Sequence, residues 1–203
     1  MTFLLATENI GKLREMRELL APLGYELVLP ADFGLVLDVE ETGETFEENA
    51  RLKAKIYCAA IGIPSIADDS GLCVDALGGE PGVHSKRYGG GGLSDGELCE
   101  LLLKNVESTE QRAAKFVSVI VCAFPDGGEL VATGECFGEI ARERRGDGGF
   151  GYDPVFYLPQ LGKTMAQLTP EEKNSISHRG NALREFAAKL TEYTTMNDER
   201  NLK

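Results

Sequence analysis

The chain has 203 residues, 42% of them apolar, enough to bury the core of one full domain. Its 33 acidic residues outweigh 21 basic ones, for a net charge of −12. That balance argues against a nucleic-acid polymer or an anionic membrane surface as partner, since both need a positive patch. A single nucleotide stays within reach, because a few placed lysines and Mg²⁺ can hold one. The five cysteines (Cys58, Cys73, Cys99, Cys122, Cys136) lie in apolar runs with no CxxC spacing, the pattern of reduced thiols in a cytoplasmic protein. Met1–Leu5 lacks the basic residues and long apolar core of a signal peptide, and no 18-residue apolar run occurs. Neither export nor a membrane span is expected.

In chain order, Thr2–Ala6 reads as a buried strand, followed by a polar turn and a helix from about Lys12 to Pro22 with Leu13, Met16, Leu19 and Leu20 on one face. Gly24 ends it, and Tyr25–Leu29 is a second strand. After an acid-bearing loop, Thr45–Ala60 is a helix: Thr45 and Glu48 form a capping box and Gly62 stands at its stop. Ser65–Ala67 is a third strand, closed by a turn at Asp68–Gly71, with Leu72–Leu77 pairing nearby. Alternating strands and helices indicate an α/β fold. Ser94 and Glu97 cap a helix reaching about Asn105. Arg112–Phe124 is a long apolar run, Pro125–Gly128 a hairpin turn and Glu129–Arg142 the returning strand, which together extend the sheet into a second lobe. Pro170 opens a helical turn, and a helix from about Ser177 to Tyr193 completes a domain covering 1–193. Residues 194–203 read as a polar, frayed tail.

Four segments carry chemistry. Asp68 and Asp69 are adjacent carboxylates, which repel unless a cation or hydrogen-bond donors are supplied, and Ser70-Gly71 offers a sharp turn with exposed amides. The stretch suits a Mg²⁺ site in which one carboxylate activates water, and equally an Asx turn ending a strand. Thr7-Glu8-Asn9-Ile10-Gly11-Lys12 is a strand-to-helix turn whose outward amides suit a phosphate, or merely cap the helix; it lacks the P-loop spacing. Glu40-Glu41-Thr42-Gly43 precedes the helix carrying Lys53, and either acid is a candidate metal ligand or a simple complement to the helix dipole. Periodicity does not fix which way Lys53 faces. In Gly148–Phe156 the glycines leave Phe150 and Tyr152 open for stacking on a base, or the rings plug the core. Lys173 and Ser177-His178-Arg179 add donors suited to carbonyl oxygens or phosphates.

Together these segments resemble the inosine/xanthosine triphosphate pyrophosphatase (Ham1-like) family. Thr7, Asn9 and Lys12 match its TxNxxK opening. Glu40–Lys53 is similar to its EETGxTFxENAxLK segment, Ala67–Leu72 to ADDSGL, Leu77–Gly82 to LGGxPG, Phe150–Phe156 to FGYDPVF and Glu172–Asn181 to its closing EKNxxSHR stretch. The resemblance covers nearly the whole chain. It implies an elongated mixed α/β sheet, two lobes flanking a central active-site cleft, and a homodimer. It implies Mg²⁺-dependent hydrolysis of deaminated purine nucleoside triphosphates (ITP, dITP, XTP) to the monophosphate and pyrophosphate. Carried over, Asp69 is the general base and, with Glu40, a metal ligand; Lys53 joins it in catalysis. Thr7, Glu8, Asn9, Ile10, Gly11, Lys12, Ser70 and Lys173 would hold phosphates, while Phe150, Gly151, Tyr152, Asp153, His178 and Arg179 would hold the base. Glu8 is an unexpected acid inside the phosphate turn and is expected to point outward. Gly89–Gly92 is a loop of four consecutive glycines. A non-catalytic nucleotide-binding module would not need the acidic pair at 68 and 69. A phosphatase working through an aspartyl-phosphate would need a DxDx[TV] motif, which is absent.

Overall fold

The computed structural model describes residues 1–201, with side chains described through residue 195. Seven strands form one mixed sheet: β1 (Thr2–Leu5), β2 (Glu26–Val28), β3 (Ser65–Val74), β4 (Ala113–Ala123), β5 (Glu129–Ile140), β6 (Phe156–Leu158) and β7 (Lys163–Thr164), in the order β2-β1-β3-β4-β5-β6-β7. β1 is parallel to both β2 and β3, whereas β5–β6 and β6–β7 are antiparallel. Five helices accompany the sheet: α1 (Ile10–Leu20), α2 (Phe46–Ile61), α3 (Asp95–Asn105), α4 (Pro170–Ile176) and α5 (His178–Asn201). The α/β reading therefore holds, as an open sheet that is parallel at one edge and antiparallel at the other.

The chain divides into two compact units. The first comprises Met1–Asp69, Val119–Gly134 and the chain from Arg179 onward; the second comprises Ser70–Ser118 and Glu135–His178. The first unit's core gathers Phe3, Leu5, Met16, Leu20, Ile66, Ile120, Cys122 and Phe186. The second has its own core, around Leu72, Leu98, Leu102, Phe116, Tyr152, Phe156 and Met165. A fully buried Leu or Phe contributes about 1.5–3 kcal/mol, so each unit has the material for an independent interior.

Three local expectations change. The largest concerns β3, which does not stop at Ala67 but runs ten residues through Asp68-Asp69-Ser70-Gly71 to Val74. Local propensity reads that stretch as a turn, yet Asp68 and Asp69 are buried on a strand that neighbours β1 and β4. Cations from distant segments compensate them. Second, α5 continues to Asn201, so 194–201 is helical; residues 202 and 203 lie outside the described residues. Third, Tyr152 is 4% exposed and its hydroxyl donates to the Ser85 carbonyl at 2.9 Å, which makes it a core residue and not a stacking platform. The capping boxes at Thr45/Glu48 and Ser94/Glu97 form as expected, and Thr169/Glu172 adds a third at the start of α4.

Candidate active site

In the first unit, β1 and β3 lie in parallel register, with Leu4 opposite Ser65 and Leu5 opposite Ile66. The Ala6 amide donates to the Ile66 carbonyl at 2.8 Å. Where β1 ends, the chain turns through Thr7 and Asn9 into α1, while β3 continues as Asp68-Asp69. Sites in α/β sheets gather at such strand ends. Asn9 caps α1: its side-chain oxygen accepts the Lys12 amide at 3.0 Å, and Thr7 Oγ1 accepts the Asn9 amide at 3.3 Å. Glu8 is exposed, as expected for an acid kept out of a phosphate turn, and Ile10 is 83% exposed.

Lys12 Nζ lies 3.1 Å from Asp68 Oδ2. The same carboxylate oxygen accepts from Arg179 Nε at 3.2 Å, and Arg179 Nη1 donates to Glu15 Oε2 at 2.5 Å. Arg179, Asp68 and Glu15 are 1%, 1% and 4% exposed, so a chain of charges runs through the interior. Burial alone would raise the Asp68 pKa, but Lys12, Arg179 and Lys53 overcome it and hold the carboxyl well below the usual range. Burial pulls the Lys12 pKa down, opposed by Asp68 and reinforced by Arg179 and Lys53. Asp68 is thus held as a buried anion between Lys12 and Arg179.

Asp69 differs. It is 6% exposed, and burial, the largest influence on it, raises its pKa against the pull of Lys53 and Lys12. Its Oδ2 accepts from Asn49 Nδ2 at 3.1 Å, and its Oδ1 lies 4.0 Å from Lys53 Nζ. Lys53 also binds Glu41 Oε1 at 2.5 Å. Burial opposes the charge on Lys53, but Asp68, Asp69 and Glu41 prevail and raise its pKa. Lys53 therefore faces the carboxylates, settling what periodicity left open. Two neighbouring aspartates pushed in opposite directions make the separation of roles expected of an acid–base site.

These features stand beside clear relatives. The model of the Ham1 family matches residues 3–189. The chain belongs to the Ham1 family. A dITP/XTP pyrophosphatase of Thermus thermophilus is 53% identical over 186 residues, covering 91% of this chain and 89% of that relative. One from Geobacillus kaustophilus is 52% identical over 181 residues, 88% and 89% of the two chains. The structure of the Staphylococcus aureus Ham1 protein superposes with a TM-score of 0.87 at 44% identity, covering 95% of this chain and all of that one.

Within this Ham1 chain, the first unit brings together Thr7, Asn9, Lys12, Lys53 and Asp69. It is Glu41, and not Glu40, that reaches Lys53 beside Asp69; Glu40 is exposed. Arg179 does not present donors outward: Asp68 and Glu15 hold its guanidinium in the core. In the second unit, Lys173 Nζ pairs with Asp153 Oδ2 at 2.6 Å and lies 4.5 Å from the centre of the half-buried Phe150 ring. Asp153 Oδ2 also accepts the Phe150 amide at 2.9 Å. Lys173 is thereby engaged with the Phe150 loop, and the role of phosphate ligand assigned to it loses support. The loop lines a cleft of about 220 Å³ with Asp95, Arg144 and Pro154. His178 is buried and stacks on Phe116 with centroids 4.7 Å apart. Two residues were given no role of their own in the sequence reading, although Asn49 lies inside the Glu40–Lys53 segment. Glu15 is an acid embedded in α1 beside Met16, and Asn49 is a poor helix former one turn into α2 with no capping duty, an oddity that could have flagged it.

Proposed function

We propose that this protein hydrolyses deaminated purine nucleoside triphosphates (dITP, ITP and XTP) to the monophosphate and pyrophosphate. The observation that carries the reading is Asp69, a buried carboxylate with a raised pKa, oriented by Asn49 and facing Lys53 beside the Thr7–Lys12 turn. The names of the relatives supply the substrate class. In the first unit, the helix-opening amides and Lys12 bind the triphosphate chain. Asp69 accepts the proton of a water that attacks phosphorus as the α–β anhydride bond breaks. Lys53 balances the charge that grows on Asp69 and the phosphate oxygens.

The residues fit a divalent cation of the Mg²⁺ type. Among the described residues no three His, Cys, Asp or Glu side chains converge into a closed metal cage. Mg²⁺ does not need one, since it commonly takes one or two carboxylates and fills its shell with phosphate oxygens and water. Asp69 and Glu41, both on Lys53, offer those oxygens. When bound, the ion would withdraw charge from the triphosphate. In the second unit the Phe150 ring is the platform for the base, with Gly151, Asp153 and Lys173 fixing its loop. No helix among the described residues is long and apolar enough to cross a membrane. Five cysteines without disulfides are compatible with the cytoplasm, and by family likeness we assign a homodimer.

The test is pyrophosphate release, with Mg²⁺, from dITP, XTP, dGTP and dATP. Turnover of dITP and XTP far above dGTP and dATP is the expected result. Equal rates on all four would overturn the assignment to deaminated purines, and absence of pyrophosphate would overturn the hydrolase reading.

A further inference from the structure

Asn49 has no part in the scheme above beyond its bond to Asp69, yet its surroundings are demanding. The residue is completely buried and lies one helical turn before Lys53 on α2. Its side-chain carbonyl accepts the Gly43 amide at 2.7 Å, while its NH₂ donates to Asp69 Oδ2 at 3.1 Å. The amide orientation follows from chemistry: a backbone N–H only donates and an ionised carboxylate only accepts. Gly43 comes this close because it has no side chain. A Cβ there would stand 2.7 Å from Glu48 Cβ and 2.8 Å from Asn49 Oδ1. Two residues before Gly43 is Glu41, the partner of Lys53. One primary amide thus ties the Glu41 loop and Asp69 to the turn of α2 that presents Lys53.

We propose that Asn49 is a positioning residue for hydrolysis, occupying Oδ2 of Asp69 so that Oδ1 is turned toward Lys53 and the incoming water, and fixing the Glu41 loop with its other end. The proposal rests on the hydrolase reading above. Asparagine alone meets both demands at this length. Aspartate would oppose Asp69 with a second acceptor, leucine would bond neither group, and glutamine would displace one of them.

The experiment uses the full chain and whichever nucleoside triphosphate of the panel the wild type cleaves. Asn49→Ala should lower kcat by about 10²-fold, the cost of misplacing a reacting group by about an ångström. Asn49→Asp keeps the acceptor for Gly43 but loses the donor to Asp69, so kcat should fall similarly with KM within about threefold of wild type. Glu48→Ala is the control: it removes the cap on the Glu44 and Thr45 amides, and should lower Tm while leaving kcat within about twofold. Wild-type kcat in Asn49→Asp overturns the proposal, as do kcat losses in both Asn49 variants no larger than that of Glu48→Ala. If Asn49→Ala does not fold, Asn49→Asp decides; if neither folds, Asn49 serves the fold and the proposal is overturned. A wild type that cleaves dGTP but not dITP overturns the substrate class and leaves the Asn49 comparison standing. A wild type that cleaves nothing overturns both.

Discussion

Asp68 and Asp69 are adjacent in sequence, yet the groups around each carboxylate push its pKa in opposite directions. Asp69→Asn should lower kcat by about 10²–10⁴-fold, the usual contribution of a general base, with Tm little changed because the amide is isosteric. Steady-state kinetics beside a thermal melt checks this, and an unchanged kcat would exclude Asp69 as the base. Arg179→Ala removes the buried guanidinium shared by Asp68 and Glu15, which should cost about 3–5 kcal/mol of stability by denaturant unfolding. A variant of wild-type stability would refute the buried charge chain. Asp68 also sets a pH dependence. Its folded pKa is depressed, so its contribution is fully present above the unfolded value of about 3.9 and is lost progressively as pH falls from there through the lower folded value. The denaturation midpoint should therefore fall as the medium is acidified below about pH 4, and Asp68→Asn should flatten that fall. Asp69, with a raised pKa, works with the opposite sign.

Among the elements, those set by neighbours along the chain were legible. Thr45 with Glu48, and Ser94 with Glu97, placed the starts of α2 and α3, and the apolar run with its Pro-Asp-Gly-Gly turn placed β4 and β5. What local sequence could not supply was compensation from afar. Asp68-Asp69-Ser70-Gly71 reads as a turn until Lys12, Lys53 and Arg179 are known to lie beside it, and Arg179 is 111 residues away from Asp68. The same gap hid that Arg179 is buried on Asp68 and Glu15 and that Glu40 is exposed, while the motifs of Thr7, Asn9, Lys12 and Asp69 marked residues that the fold brings together. β6 and β7, three and two residues long, are too short to show a period. The Phe150 loop makes its own prediction. Gly149 has φ +73°, and a Cβ there would meet Asp153 Oδ2 at 2.0 Å. Gly149→Ala should detach Asp153 from the Phe150 amide and raise KM for dITP by about tenfold or more, as expected when one well-placed contact is lost. An unchanged KM would mean that the Phe150 loop does not hold the base.

At the scale of the whole molecule, a chain of net charge −12 must bind a substrate that is itself strongly anionic. In the proposed reaction Lys12 and Lys53 would answer this locally, and a divalent cation would supply the remainder. In the reaction proposed above the cation would be shared with the phosphates of the nucleotide, and among the described residues no group of three His, Cys, Asp or Glu side chains would hold it alone. A chelator should therefore abolish pyrophosphate release yet shift the Tm of the substrate-free protein by no more than about a degree, since an ion that does not bind the substrate-free native state adds nothing to its stability. A fall of several degrees would reveal a structural metal.

The link from Glu15 to Arg179 spans 164 residues and joins the first helix to the start of the last. A ribosome makes α1 long before α5. Until Arg179 has emerged and docked, Asp68 and Glu15 lack the guanidinium that joins them in the folded chain, so the first unit cannot complete its interior. A chain released early, or nicked before α5, would lack His178 and Arg179 and leave Asp68 and Glu15 without the guanidinium that joins them. The buried arginine therefore couples the closing of the first unit's interior to the arrival of α5.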